Sequence, residues 1–212
     1  MKIRRQRLQF SIRGLLLLVT ACCVALGIAV SRVRTQQHAV SEIEAVYGEV
    51  FYDFHETGPD GLDLNRQSSD PAWLRELLGP DALHDVVAVN LDSPAVTDAT
   101  LKELRNLPAL RRVFLFEASI SNRGLDILKT LPKIRKLSIC SCPGIDDDAL
   151  ARLAGLGQVE HLDLQALSVT DAGLRHLKGN VGLRRISLDR LAVTEEGVAE
   201  LRTALPNCVI DY

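Results

Sequence analysis

From Val86 onward the sequence repeats itself every 24 to 25 residues, and no other feature narrows the fold so far. The units read VAVNLDSPAVTDATLKELRNLPALRR, VFLFEASISNRGLDILKTLPKIRK, LSICSCPGIDDDALARLAGLGQVEH, LDLQALSVTDAGLRHLKGNVGLRR and ISLDRLAVTEEGVAELRTALPNC, and VIDY opens a sixth. One apolar column, Val89, Val113, Leu137, Leu162, Ile186 and Ile210, has spacings of 24, 24, 25, 24 and 24. A second column lies two residues later at Leu91, Leu115, Ile139, Leu164, Leu188 and Tyr212. A third, nine residues before each following strand, holds Leu104, Leu128, Leu153, Leu177 and Leu201. Separate columns in one register define a supersecondary unit stacked on copies of itself, a solenoid. Composition agrees: 35 of 212 residues are leucine and only 4% are aromatic, so one side-chain type fills the core repeatedly.

Each unit has a physical reading. Apolar–x–apolar is one short strand whose inward side chains enter a shared core. Val96, Ile120, Ile145, Val169 and Val193 then turn inward. The next residue, Thr97, Ser121, Asp146, Thr170 or Thr194, suits a helix N-cap. Asp98, Asn122, Asp147, Asp171 and Glu195 follow, mostly acids placed favourably against the helix dipole. Leu101/Leu104, Leu125/Leu128, Leu150/Leu153, Leu174/Leu177 and Val198/Leu201 give the helix an apolar stripe at i, i+3. The expected class is α/β, with short parallel strands on the concave side and helices on the convex side.

The other end of the chain is different in kind. Residues 14–31 carry no charge, and at about 1.5 Å per residue a helix of that length just crosses a bilayer core. Lys2, Arg4, Arg5, Arg7 and Arg13 precede it, against Arg32 and Arg34 after it. The positive-inside rule therefore keeps the N-terminus in the cytoplasm and sends the rest across. Ala29-Val30-Ser31 offers a small-residue cleavage site, so a cleaved signal stands second to an uncleaved signal-anchor. Residues 1–34 hold seven basic residues and no acid, leaving 18 basic against 27 acidic residues beyond them, a charge of −9. That balance argues against nucleic-acid binding by the body. The expected organisation is a basic cytoplasmic tail (1–13), a transmembrane helix (14–31), a juxtamembrane helix, strand and N-terminal cap (32–85), and five repeats plus a terminal strand (86–212). Within the cap, Ala39, Val40, Ile43 and Val46 have helical spacing, Val50, Tyr52 and Phe54 alternate, and PAWLRELLG is a short helix whose Trp73 is assigned to packing.

The repeats resemble the leucine-rich repeat family over residues 86–212, and LSICSCPGIDDDAL and LDLQALSVTDAGL resemble its cysteine-containing, ribonuclease-inhibitor-like subclass. The usual inward Asn or Cys position is held by Pro94, Ala118, Cys142, Leu167 and Leu191, so only Cys142 keeps the pattern. Together with the apolar span, PAWLRELLG and LPNCVIDY, the chain resembles short bacterial membrane-anchored leucine-rich repeat proteins. The resemblance implies protein binding and seldom catalysis.

Catalytic signals are thin. His84-Asp85 has no further His/Asp set at metal-hydrolase spacing, and no phosphate loop, nucleophile elbow or zinc pattern occurs. Asp146-Asp147-Asp148 sits where every other unit starts its helix, so capping explains it. Asp60-Gly61-Leu62-Asp63 lacks the full calcium-loop spacing. Cys140, Cys142 and Cys208 are read as small buried hydrophobes. Strand alternation instead sends Arg112, Lys136, His161 and Arg185 outward in one column, with Phe114 in the next and Phe116 beyond it. Arg and aromatic residues concentrate at interfaces, so Arg112, Phe114, Phe116, Lys136, His161 and Arg185 are the expected partner-binding set. The sequence thus leads to a membrane-anchored, non-catalytic protein-binding scaffold with no cofactor, no metal, no nucleic acid and no small-molecule substrate. A structural or self-associating envelope component is the alternative.

Overall fold

The computed structural model describes residues 12–58 and 61–212, without the side chains of 12, 13 and 15. Lys2, Arg4, Arg5, Arg7 and Asp60 therefore lie outside the described residues, as does the side chain of Arg13. The chain divides into two compact units, Met1–Thr35 and Gln36–Tyr212.

Helix α1, Ile12–Glu44, opens the described chain. Its side chains from Leu16 to Val30 are exposed, and it is long and apolar enough to cross a membrane. Those properties fit a membrane span and a signal sequence alike. Past Thr35 the helix changes character: Gln36, Ala39, Val40 and Ile43 are buried in the second unit.

In that unit β1 (Glu49–Tyr52) is followed by a 3-10 turn at Asp53–His55, then α2 (Ala72–Leu78) and α3 (Pro80–Leu83). The repeats supply β2 (Val86–Asp92), α4 (Asp98–Glu103), β3 (Arg112–Phe116), β4 (Lys136–Cys140), α5 (Asp147–Leu153), β5 (His161–Gln165), α6 (Asp171–Leu177), β6 (Arg185–Asp189), α7 (Glu195–Ala204) and β7 (Val209–Asp211). The described residues form one seven-stranded sheet in the order β1 to β7. β1 runs antiparallel to β2; every later strand is parallel to its neighbour. The register is the sequence register: Val89, Val113, Leu137, Leu162, Ile186 and Ile210 are successive partners, and all are buried. The leucine column Leu104, Leu128, Leu153, Leu177 and Leu201 is at most 1% exposed.

After β3, β4, β5 and β6 the chain turns through one left-handed residue: Glu117, Ser141, Ala166 and Arg190. The N–H groups of Glu117, Ser141 and Ala166 donate to the carbonyls of Cys140, Gln165 and Asp189, the last strand residues of the next unit. Each turn is thereby stitched to its successor, offsetting the cost of positive φ in non-glycine residues.

Four local expectations are corrected. The second repeat has a 3-10 helix, Asn122–Thr130, in place of an α-helix. Leu125, Leu128 and Leu131 recur every three residues beside Gly124, but the same leucine spacing (Leu150, Leu153, Leu156) and the equivalent glycines Gly173 and Gly197 accompany α-helices in other units, so neither feature explains the difference. Trp73 is 65% exposed instead of packed. Tyr212 lies past the end of β7 and is exposed, its ring 5.3 Å from the Arg202 guanidinium. Pro94 is exposed, whereas Ala118, Cys142 and Leu167 at the equivalent position are buried.

Candidate functional site

Alternation along β2 to β7 turns one set of side chains to the core and the other to a single outer face of the sheet. On that face Arg112 pairs in register with Lys136, Lys136 with His161, and His161 with Arg185. Their environments nevertheless diverge.

Arg112 was expected to stand exposed, yet it is 3% exposed. The loop following β1 folds over it. Its Nη1 donates to Glu56 Oε1 at 2.9 Å and its Nη2 to the Gly58 carbonyl at 3.2 Å, while Arg111 Nη1 reaches Glu56 Oε2 at 2.6 Å. Glu56 is itself positioned by pairing of its backbone with Leu62 and by Arg66, whose guanidinium donates to the Glu56 carbonyl at 2.7 Å. Arg112 is therefore a tie between the cap and β3.

Beside it lies a pocket of about 480 Å³ lined by Arg111, Arg112, Lys133, Arg135, Lys136, Glu160 and His161. It holds five cationic side chains and one carboxylate. Glu56 engages the first two arginines, and Glu160 engages Arg135 at 3.2 Å and Arg184 at 3.2 Å. Among the described residues no carboxylate pairs with Lys133 or Lys136. The Lys136 ammonium instead lies 5.6 Å from the centre of the Phe114 ring. Phe114 belongs in turn to a second hollow of about 540 Å³, whose apolar walls are Phe51, Leu62, Leu64, Phe114, Leu115 and Phe116 and whose polar walls are Glu49, Asn90, Asp92, Ser138 and Cys140. Lys136 and Phe114 thus join a basic pocket to an apolar groove on one face.

Farther along the face the polar groups pair with each other. Ser138 donates to Asp163 at 3.1 Å, Gln165 donates to Asp189, and Arg185 reaches Asp211 at 3.2 Å. The Gln165 and Arg190 bonds hold the Asp189 carboxyl below the usual carboxylate range. Of the six expected residues, the structure brings Arg112, Lys136 and His161 into the basic pocket and Phe114 and Phe116 into the groove. Arg185 lines neither. Lys133, Phe51, Leu62 and Leu64 were missed; the last three come from the cap, where no periodicity announces which side chains reach the repeats.

A Ser–His–Asp constellation also forms in the cap. His84 Nδ1 lies 2.7 Å from Asp53 Oδ1, and Nε2 lies 2.5 Å from Asp70 Oδ2 and 3.0 Å from Ser68 Oγ; Ser68 also bonds to Asp70. The Ser68 hydroxyl, followed by His84, holds the Asp70 carboxyl below its ordinary range. Both ring nitrogens of His84 face carboxylates, and the Ser68 hydroxyl donates to Asp70. The cluster clamps three segments, Asp53, Ser68–Asp70 and His84. His84 therefore turns to Asp53 and Asp70, not to the metal-hydrolase arrangement weighed from His84-Asp85.

The three acids Asp146–Asp148 also resolve into separate jobs. Asp146 caps its own helix by accepting from the Asp148 N–H at 3.0 Å, and Asp147 accepts from the N–H and hydroxyl of Thr170 at 2.8 and 2.7 Å. Of the three cysteines expected to be buried, Cys142 is fully so and Cys140 and Cys208 only in part, and burial pushes all three thiols up from their ordinary value.

No family model matches the chain. Two curated relatives are 26% identical to it over 174 residues, covering 78% of this chain and 82% of theirs: the mitochondrial ATP synthase subunit s of Homo sapiens and of Pongo abelii. Matched solved structures include an internalin from Listeria monocytogenes (21% identity, TM-score 0.43, 53% of this chain and 31% of that one). A Bacteroides fragilis protein matches at 20% identity and TM-score 0.48, over 62% of this chain and 41% of that one. A leucine-rich repeat protein of Leptospira interrogans matches at 20% identity and TM-score 0.39, over 52% and 27%. The chain spans less than half the length of each of these three structures.

Proposed function

We propose that this chain is a membrane-tethered leucine-rich repeat solenoid that holds a protein partner on the outer face of its sheet and performs no catalysis. The observation that carries the reading is the junction of the apolar groove with the basic pocket through Lys136 and Phe114. Such a face suits an extended segment of a partner that places an apolar side chain between Leu64 and Phe116 and acidic groups against Lys133 and Lys136. The curated relatives are named as subunits of a larger assembly, which supports a part played among partners. The uncharged run 14–31, flanked by five basic residues before and two after, supports a retained span with the repeats outside the cytoplasm.

The test compares proteins recovered with the intact chain from gently solubilised membranes against those recovered with a Phe116→Asp variant and a Lys133→Glu/Lys136→Glu variant. A specific protein lost with both variants, and released from the unaltered chain by salt, is the expected result. Equal recovery with all three removes the docking face. For the orientation, a reporter fused after Tyr212 that is active in the cytoplasm overturns the proposed topology.

A further inference from the structure

We propose that α2 lies on the surface of the lipid bilayer, with Trp73 and Leu77 sunk into the interface between headgroups and acyl chains; this rests on residues 14–31 being inserted in the membrane. Trp73 and Leu77 are 65% and 72% exposed, and Leu78 is exposed beside them. Trp73 and Leu77 are four residues apart on a helix, so they stand on one face. The second unit thus concentrates three large uncovered apolar side chains within six residues of chain.

What covers that face follows from where α2 is attached. The Gln36 side-chain amide donates to the His84 carbonyl at 2.8 Å and to Asp81 Oδ1 at 3.3 Å, which fixes α3 to the first residue of the second unit. Gln36 is only five residues beyond Ser31, so even a fully extended chain keeps it within about 18 Å of the end of the uncharged run. A single residue, Gly79, separates α2 from α3. The helix carrying Trp73 is therefore tethered within reach of the membrane surface, whatever path residues 32–35 take. Tryptophan is favoured at that depth because its ring is apolar and its N–H remains wet. Glu76, exposed on the same face as Trp73 and Leu77, opposes an anionic surface. Insertion thus depends on apolar contact and proceeds on zwitterionic lipid.

Trp73 is the single tryptophan in the chain, which makes its fluorescence a site-specific reporter without mutation. The full chain is reconstituted into phosphatidylcholine vesicles, and flotation is measured first. Emission is then quenched with a spin label near the lipid headgroup, with one near the acyl terminus, and with aqueous iodide. The expected result is flotation, blue-shifted emission, strong loss with the shallow label, weaker loss with the deep one and little with iodide; Leu77→Glu should restore iodide quenching while flotation persists. Flotation with Trp73 open to iodide and untouched by lipid labels overturns the inference and leaves the membrane span standing. Shielding from iodide and from both lipid labels assigns the face to a protein surface, a second copy or a partner, and overturns it as well. Failure to float overturns both readings.

Discussion

Arg112 and Lys136 are neighbours in one outward column, yet substituting them should have opposite consequences. Arg112→Ala removes the bonds to Glu56 Oε1 and the Gly58 carbonyl and empties a buried site, leaving Glu56 to Arg111 alone, and we expect a loss of about 2–3 kcal/mol in chemical denaturation. Lys136→Ala removes a half-exposed side chain with no carboxylate partner among the described residues, and its stability should stay within about 0.5 kcal/mol of the original. Asn180 makes a similar point from the core. It replaces the leucine found at Leu107, Leu131 and Leu156, but its side chain accepts from the Gly155 N–H at 2.8 Å and donates to the Leu153 carbonyl at 3.0 Å, bridging two units. Asn180→Ala removes both bonds, the Leu153 carbonyl keeping the Leu156 N–H, and we expect denaturation to register a loss of about 1–2 kcal/mol. At this scale the sequence is least legible. Alternation correctly sent the Arg112 backbone position outward, but its burial depends on a cap loop, Glu56 and Gly58, that lies 56 and 54 residues earlier. Trp73 fails for a related reason: an apolar residue in a short helix defaults to the interior, and nothing local records that its face is left open.

Between elements, the units are held together by a ladder of capping side chains. Asp98 accepts from the N–H and hydroxyl of Ser121, Asp147 from those of Thr170, and Asp171 from those of Thr194, at 2.6 to 2.9 Å throughout. Asn122 and Asp146 bridge the remaining step. A close approach is needed, and Gly124, Gly173 and Gly197 provide it: a Cβ on Gly197 would fall 2.1 Å from Asp171 Oδ1. Gly197→Ala, which on helix propensity alone should stabilise, is therefore expected to lower the Tm, whereas Gly179→Ala, with nothing within 4 Å of its Cβ, should hold or raise it. The bonds from Thr194 also hold the Asp171 carboxyl below its ordinary value. A carboxylate depressed in the folded state contributes stability that is present above its unfolded pKa and lost as pH falls through the folded one. The Tm should accordingly fall between about pH 5 and pH 3, and Asp171→Asn should flatten that fall. The repeated Thr/Ser/Asp–Asp/Asn dipeptide was legible as a cap and a dipole partner. Its second role was encoded too, in the glycine three residues after Ser121, Thr170 and Thr194, but a bond between units is invisible when each unit is read alone.

The molecule as a whole joins an apolar, basic-flanked segment to an acidic body that keeps one basic pocket. The period carried strand order and core membership almost entirely, because stacked units share one register and a shift would displace every leucine column at once. The cap was legible only as two helices and a strand; its antiparallel pairing with β2 and its contribution to the groove depend on contacts without a repeat to predict them. The central claim, that the groove and pocket on the outer sheet face receive a protein partner, is tested most directly by photo-crosslinking in intact membranes. The crosslinking residue is placed at Phe116 or, as a control on the helical side, at Lys129. The account predicts one heterologous adduct from position 116, absent from position 129 and abolished by Lys133→Glu/Lys136→Glu. Equal adducts from both positions, adducts only between copies of this chain, or none from position 116 would contradict it.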